Sequence, residues 1–346
     1  MYKWIKRIFV AGSALTLLMV GAGAALWYSL DLDAEPRTDP ASTSADLGFA
    51  SLPAGSRGRI LTVVSSADQL ADGSKGGYEL TELARAYWVF EHNGYAVDIA
   101  SPQGGEPPMI LDDGLVEADY AFLNDAQAQQ RLKNSLALSD VDAGRYAAVY
   151  FVGGKGSMID FPGNPEIARI VRDIAPRGVV GAVCHGPAAL LGIDMGEGQQ
   201  LLSGRKLTSF SNAEEHFLIK EPAQRLGFLL EDALVAQASF SEGPMYLDHV
   251  VVDDRIVTGQ NPWSAWSTAE SVISALGHTP AQRPRTAEEY SVDLLAVYRQ
   301  ENLAAAFEFK QTLPRVDKRL LVMHALVAAM QWQLWDAWSL HRLARA

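Results

Sequence analysis

Apolar positions along the chain fall into short blocks of two kinds. Residues 59–66 (RILTVVSS), 95–101 (YAVDIAS), 146–154 (YAAVYFVGG) and 179–184 (VVGAVC) are compact runs rich in β-branched residues, the pattern of strands buried on both faces. Between them, residues 81–94 (TELARAYWVFEHNG) and 165–178 (PEIARIVRDIAPRG) place apolar positions at helical spacing and end on glycine. Strands alternating with helices predict βαβ units, and so an α/β fold: a three-layer α-β-α sandwich around a mainly parallel sheet. Residues 250–259 (VVVDDRIVTG) predict a hairpin turning at Asp253 and Asp254, and residues 267–277 a closing helix stopped by Gly277. No internal repeat is present.

The two ends follow other patterns. Lys3, Lys6 and Arg7 precede an uncharged run over residues 8–30, longer than the roughly 20 residues that cross a ~30 Å hydrocarbon layer. This predicts one N-terminal transmembrane helix, with the basic flank in the cytoplasm and the folded body on the far side. A cleaved signal peptide is the alternative, since Ala22-Gly23-Ala24 offers a small-residue cleavage site. The run exceeds the ~7–15 residues of a signal core, which favours an uncleaved anchor. Residues 31–58 are rich in Pro, Ser, Thr, Ala and Asp without periodicity, the composition of a flexible linker. Past the α/β domain (59–277), residues 278–346 predict a helical hairpin. Thr286 and Glu289 form a capping box opening one helix to about Lys310, Pro314 breaks it, and a second helix runs from Arg315. Trp332, Trp335 and Trp338 recur three apart on that second helix.

A content of 48% hydrophobic and 20% charged residues describes an ordinary globular core and excludes disorder as the main theme. The net charge of -12 opposes attraction to phosphate backbones, so nucleic acid is not an expected partner. One cysteine, Cys184, allows no internal disulfide.

Cys184 is where chemistry is expected. It ends the strand VVGAV and precedes a helix-like run from Pro187, with Gly181, Ala182 and Gly186 as the small neighbours that a sharp strand-to-helix turn requires. In parallel sheets, reactive groups gather at the carboxyl ends of strands, next to the positive ends of helices. A thiol there is expected to have a lowered pKa. The alternative is a buried cysteine acting as a small hydrophobe, and His185 beside it can face either side of the strand.

Four segments in this chain order resolve the ambiguity: residues 77–105, beginning GYELTELARAYWVF; GGKGSMIDFP from Gly153; AVCHGPAALL; and LTSFSNAEE from Leu207. Together they resemble the PfpI superfamily of class I glutamine-amidotransferase-like proteins, which have a flavodoxin-like fold. Within it, the branch of glutathione-independent glyoxalases (glyoxalase III) and holding chaperones is the most similar. The resemblance covers residues 59–277 and implies that Cys184 is the nucleophile, His185 its proton-transfer partner and Glu215 the acid orienting the histidine, with Glu214 the less favoured alternative. It further implies that the carboxyl group of Glu82, protonated, touches the cysteine sulfur. Gly153, Gly154, Lys155 and Gly156 would line an oxyanion hole and substrate site. Lys155 stands where many members of the branch have histidine, and a cation there would stabilise a thiolate.

The function so implied is conversion of methylglyoxal or a related reactive aldehyde to a hydroxy acid, with no metal and no organic cofactor. A cysteine peptidase or amidase and a non-enzymatic, stress-protective holding chaperone are the alternatives. The expected partners are a small aldehyde and the membrane, and a homodimer is one assembly the resemblance allows. The expected placement is single-pass, with the catalytic domain on the non-cytoplasmic side.

Overall fold

The computed structural model describes residues 28–35, 37–112 and 114–346. They form two compact units, residues 38–284 and the described part of 1–37 with 285–346.

The larger unit is built on eleven strands in chain order: β1 (Gly58–Val63), β2 (Tyr78–Glu79), β3 (Tyr95–Ser101), β4 (Met109–Ile110), β5 (Leu136–Ala137), β6 (Ala148–Phe151), β7 (Val179–Val183), β8 (Lys206–Leu207), β9 (Ser239–Phe240), β10 (Val250–Asp253) and β11 (Ile256–Gly259). Seven make the central sheet in the order β10-β11-β7-β6-β1-β3-β5. All its neighbours are parallel except β10 with β11, which pair antiparallel around Asp253 and Asp254 as the hairpin pattern predicts. The strands are uninterrupted apolar runs because both faces are covered. Every residue of β6 and β7 is buried.

Side-chain alternation assigns the two faces. Leu61, Val149, Phe151, Val180 and Ala182 pack with Ile167, Ile170, Val171 and Ile174 of the helix Pro165–Ile174. On the other face the helices Leu80–His92 and Ala265–Ala275 lie together, and Tyr150 meets Phe90 edge to face. From β1 the chain steps outward to β3 and β5, then returns across β1 to β6 and β7. That reversal puts the switch point of the topology at the carboxyl ends of β1 and β6, the place where such sheets bind ligands.

Residues 38–56, loop-like in composition, are fixed on this unit at several points. Leu47 is buried, Phe49 stacks on His92 at 4.3 Å, Leu52 N donates to His92 O, and Asn124 Nδ2 donates to Pro40 O and Ser42 O. Two apolar anchors are enough to seat a stretch whose average composition is that of a linker.

In the second unit, the predicted capping box forms: Glu289 N donates to Thr286 Oγ1 at 3.1 Å and Thr286 N to Glu289 Oε2 at 2.8 Å. The expected hairpin is instead four helices, Ala287–Gln300, Leu303–Lys310, Lys318–Met330 and Leu334–Arg345. Asn302 breaks the first expected helix by capping a new one with its side chain, Asp317 caps the helix that begins past Pro314, and the second expected helix breaks at Trp332, which takes a left-handed backbone at φ 62°. Leu30 is buried in this unit, and Glu35 pairs with Lys318 at 2.9 Å.

The expectation of a single-pass membrane protein is overturned. No helix among the described residues is long and apolar enough to cross a membrane. The longest of them, Ala287–Gln300, has 14 residues and so extends about 21 Å, short of the ~30 Å hydrocarbon layer. Most of the apolar run on which the expectation rested, residues 8–27, lies outside the described residues.

Candidate active site

The chain turns sharply after β7. Cys184 sits at φ 58°, the left-handed region that costs a residue with a side chain roughly 1–2 kcal/mol. Its neighbours hold it there: Cys184 N donates to Gly259 O and Phe210 N donates to Cys184 O, both at 2.9 Å. The strained backbone at this buried thiol is thus over-determined by its surroundings. The expected helix from Pro187 is a 3-10 turn, Gly186–Leu190, with His185 at its N-cap.

The turn brings the two adjacent side chains together. Cys184 Sγ lies 3.2 Å from His185 Nδ1, and His185 Nε2 makes a short contact with Glu215 Oε1. Phe210 stacks on the imidazole with ring centroids 4.8 Å apart. All three polar side chains are buried, and Glu215 Oε2 has no hydrogen-bond partner among the described residues. Glu215 belongs to the helix Asn212–Leu218. Its neighbour Glu214 is spent elsewhere, accepting from Ser211 N (3.0 Å), Tyr246 N (2.8 Å) and Asn261 Nδ2 (2.9 Å). Of the two acids, it is Glu215 that contacts His185.

Glu82 lies in the first turn of the helix Leu80–His92 and is fully buried. Gly153 N donates to its Oε2 at 2.7 Å. A Cβ on Gly153 would come within 2.6 Å of that oxygen, 2.7 Å of Val183 O and 2.8 Å of His185 N, so only glycine lets the three segments meet. Burial first, and then the charge of Glu82 and its hydrogen bond, push the Cys184 thiol well up. This runs against the expected lowering, which weighed helix ends but not the burial of the thiol. The Gly154 N–H, directed at the sulfur, works the other way.

The glycine-rich loop is divided in its duties. Gly154, at φ 93°, faces Cys184, whereas the Gly153 N–H is engaged by Glu82 and the Gly156 N–H by Gly77 O. Lys155 pairs with Asp112, whose own N–H donates to Glu79 Oε2 at 3.2 Å. Its ammonium thus ties the loop to the segment after β4. As a partly exposed pair it contributes about 0–1 kcal/mol.

A residue absent from the sequence reading supports the loop. Asp160 accepts from Ser65 Oγ (2.9 Å) and Ser66 N (2.7 Å), joining the turn after β1 to the short helix Ser157–Asp160. Burial pushes its carboxyl up to about 6 from 3.8. A folded pKa above the unfolded one means that the native state holds the proton more tightly. The stabilisation is complete below about pH 3.8 and is lost as pH rises through about 6. Between about pH 4.5 and 7 this amounts to about 2 kcal/mol. Urea unfolding at those two pH values should show the parent losing that much more stability than Asp160→Asn. Equal losses would remove Asp160 as the cause.

Among the described residues no group of three or more His, Cys, Asp or Glu side chains is arranged to hold a metal.

A thiol on a left-handed elbow at the end of a parallel strand, backed by an imidazole and two buried carboxyl groups, defines a cysteine-centred α/β protein. The chain belongs to the DJ-1/PfpI family, whose match spans residues 74–275. It is 31% identical to Glyoxalase 3 of Candida albicans over 63% of this chain and 98% of that protein, and 32% identical to a glutathione-independent glyoxalase, hsp3101, of Schizosaccharomyces pombe over 63% and 96%. Among solved structures, glyoxalase III from Candida albicans aligns with a TM-score of 0.59 at 30% identity over 63% of this chain and 97% of its own. The 24 kDa Rapid Encystment Protein of Francisella tularensis aligns with 0.59 at 36% over 63% and 99%.

Proposed function

We propose that this protein is a glutathione-independent lyase of the glyoxalase type, converting a small α-oxoaldehyde such as methylglyoxal to its hydroxy acid at Cys184. The observation that carries the proposal is the Cys184–His185–Glu215 chain at a strained elbow, in a protein similar to named glyoxalases along nearly their whole length.

Thiol and Glu82 share one negative charge: with the proton on Glu82, the carboxyl group donates to a thiolate instead of repelling it. The thiolate adds to the aldehyde carbon, and the carbonyl oxygen takes up a proton to give a hemithioacetal. The Gly154 N–H is the donor placed to stabilise the developing oxyanion. His185, held by Glu215, removes the C1 proton to form an enediol and returns a proton to C2, leaving a thioester of the hydroxy acid. Water hydrolyses the thioester, releasing the acid and restoring Cys184.

Initial rates with methylglyoxal and glyoxal, without glutathione, should be set beside casein and a peptide p-nitroanilide. Aldehyde consumption with both peptide substrates untouched is the expected result. Cleavage of the peptides with the aldehydes left intact would replace the lyase by a hydrolase.

A further inference from the structure

Tyr150 is a buried tyrosine whose hydroxyl the fold leaves without a partner. It lies on β6, three residues before Gly153, and its ring is fully buried against Phe90 of the helix that also carries Glu82. Directly across the ladder stands Gly181 of β7, three residues before Cys184. A Cβ on Gly181 would come within 2.8 Å of the Tyr150 ring and 2.7 Å of Val272, so the glycine makes the space the ring fills. The ring therefore lies between the strand that leads to the glycine loop and the strand that leads to the nucleophile.

Packing alone does not account for the hydroxyl. No described residue pairs with Tyr150 Oη, and a buried polar group without a partner costs stability that phenylalanine would not incur. The charges that bear on it are those of the site. Burial, then the charges of Glu82 and Cys184, push its own pKa well up. Beyond them lie His185 on the elbow and Glu215 on the helix Asn212–Leu218, whose charge also bears on Cys184.

We propose that Tyr150 is a positioning residue for the nucleophile, its hydroxyl donating toward the negative charge shared by Cys184 and Glu82 when the thiol ionises. The proposal rests on Cys184 being the nucleophile described above, but it concerns thiol ionisation and is tested without any aldehyde. Failure of the glyoxalase reading and failure of this one are thus separate results.

The test is the rate of iodoacetamide alkylation of the whole chain as a function of pH. With one cysteine in the sequence, the rate reports Cys184 alone. Removing a charge-assisted hydrogen bond by Tyr150→Phe should move the midpoint up by about one pH unit, slowing alkylation at neutral pH about tenfold. The melting temperature should stay equal or rise, since an unpaired hydroxyl is gone. A midpoint that does not move, or that moves down, overturns the proposal. Should Tyr150→Phe not fold, a difluorotyrosine at position 150 is the stronger donor and should move the midpoint down. An unmoved midpoint there overturns it equally.

Discussion

Cys184→Ala is expected to lower kcat/KM for methylglyoxal by about a thousandfold or more, on the order of 4 kcal/mol of transition-state stabilisation, because no other side chain in the site is a nucleophile. The fold should survive the change. The elbow is held by the backbone bonds from Cys184 N to Gly259 O and from Phe210 N to Cys184 O, which the substitution leaves in place. A companion variant separates strain from chemistry. Cys184→Gly removes the same sulfur but adopts φ 58° without steric cost, so it should be more stable than Cys184→Ala by about 1 kcal/mol. In a unit of this size that corresponds to a melting temperature higher by about 2–4 °C. Equal melting temperatures would mean that the elbow stores no strain.

The second large effect concerns the two adjacent glutamates, for which opposite outcomes are expected. Glu215→Gln keeps the size of the side chain but removes the charge that orients His185 and stabilises its protonated form. It should lower kcat on the order of a hundredfold with little change in stability. Glu214→Ala leaves Ser211 N, Tyr246 N and Asn261 Nδ2 without their acceptor in a buried region. That should cost about 2–4 kcal/mol of stability, read by urea unfolding, while the molecules that remain folded keep their turnover within a few-fold. Loss of turnover in Glu214→Ala with full retention in Glu215→Gln would reverse the assignment.

Much of this arrangement was legible in the sequence. Compact β-branched apolar runs separated by helical ones led to the parallel sheet, and small residues around Cys184 to its elbow. The choice between Glu214 and Glu215 was readable too, by a signal in plain view. Ser211-Asn212-Ala213-Glu214 is a capping box, which commits Glu214 to the start of its own helix and leaves Glu215 for the histidine. A similar local signal, Asn302 as an N-cap, marks the break in the first expected C-terminal helix, whereas the left-handed Trp332 that breaks the second carries no such signal.

What was not legible depended on contacts between distant segments. The direction of the Cys184 shift follows first from burial of the thiol and then from the charge of Glu82, about a hundred residues earlier, whose carboxyl group accepts from Gly153 N. The sequence left open whether Lys155 supports a thiolate or points to solvent, and nothing local announced that Asp112 would take its charge. Tyr150 escaped notice because in a buried strand a tyrosine fits the apolar pattern as well as a phenylalanine does. Only its unpaired hydroxyl sets it apart.

The most direct measurement is proton NMR of methylglyoxal incubated with the whole chain in deuterium oxide, without glutathione, beside the Cys184→Ala chain. Passage through an enediol at Cys184 predicts lactate carrying deuterium on C2 from the parent and none from the variant. Methylglyoxal left unchanged by the folded parent, or lactate formed equally by both chains, would contradict it.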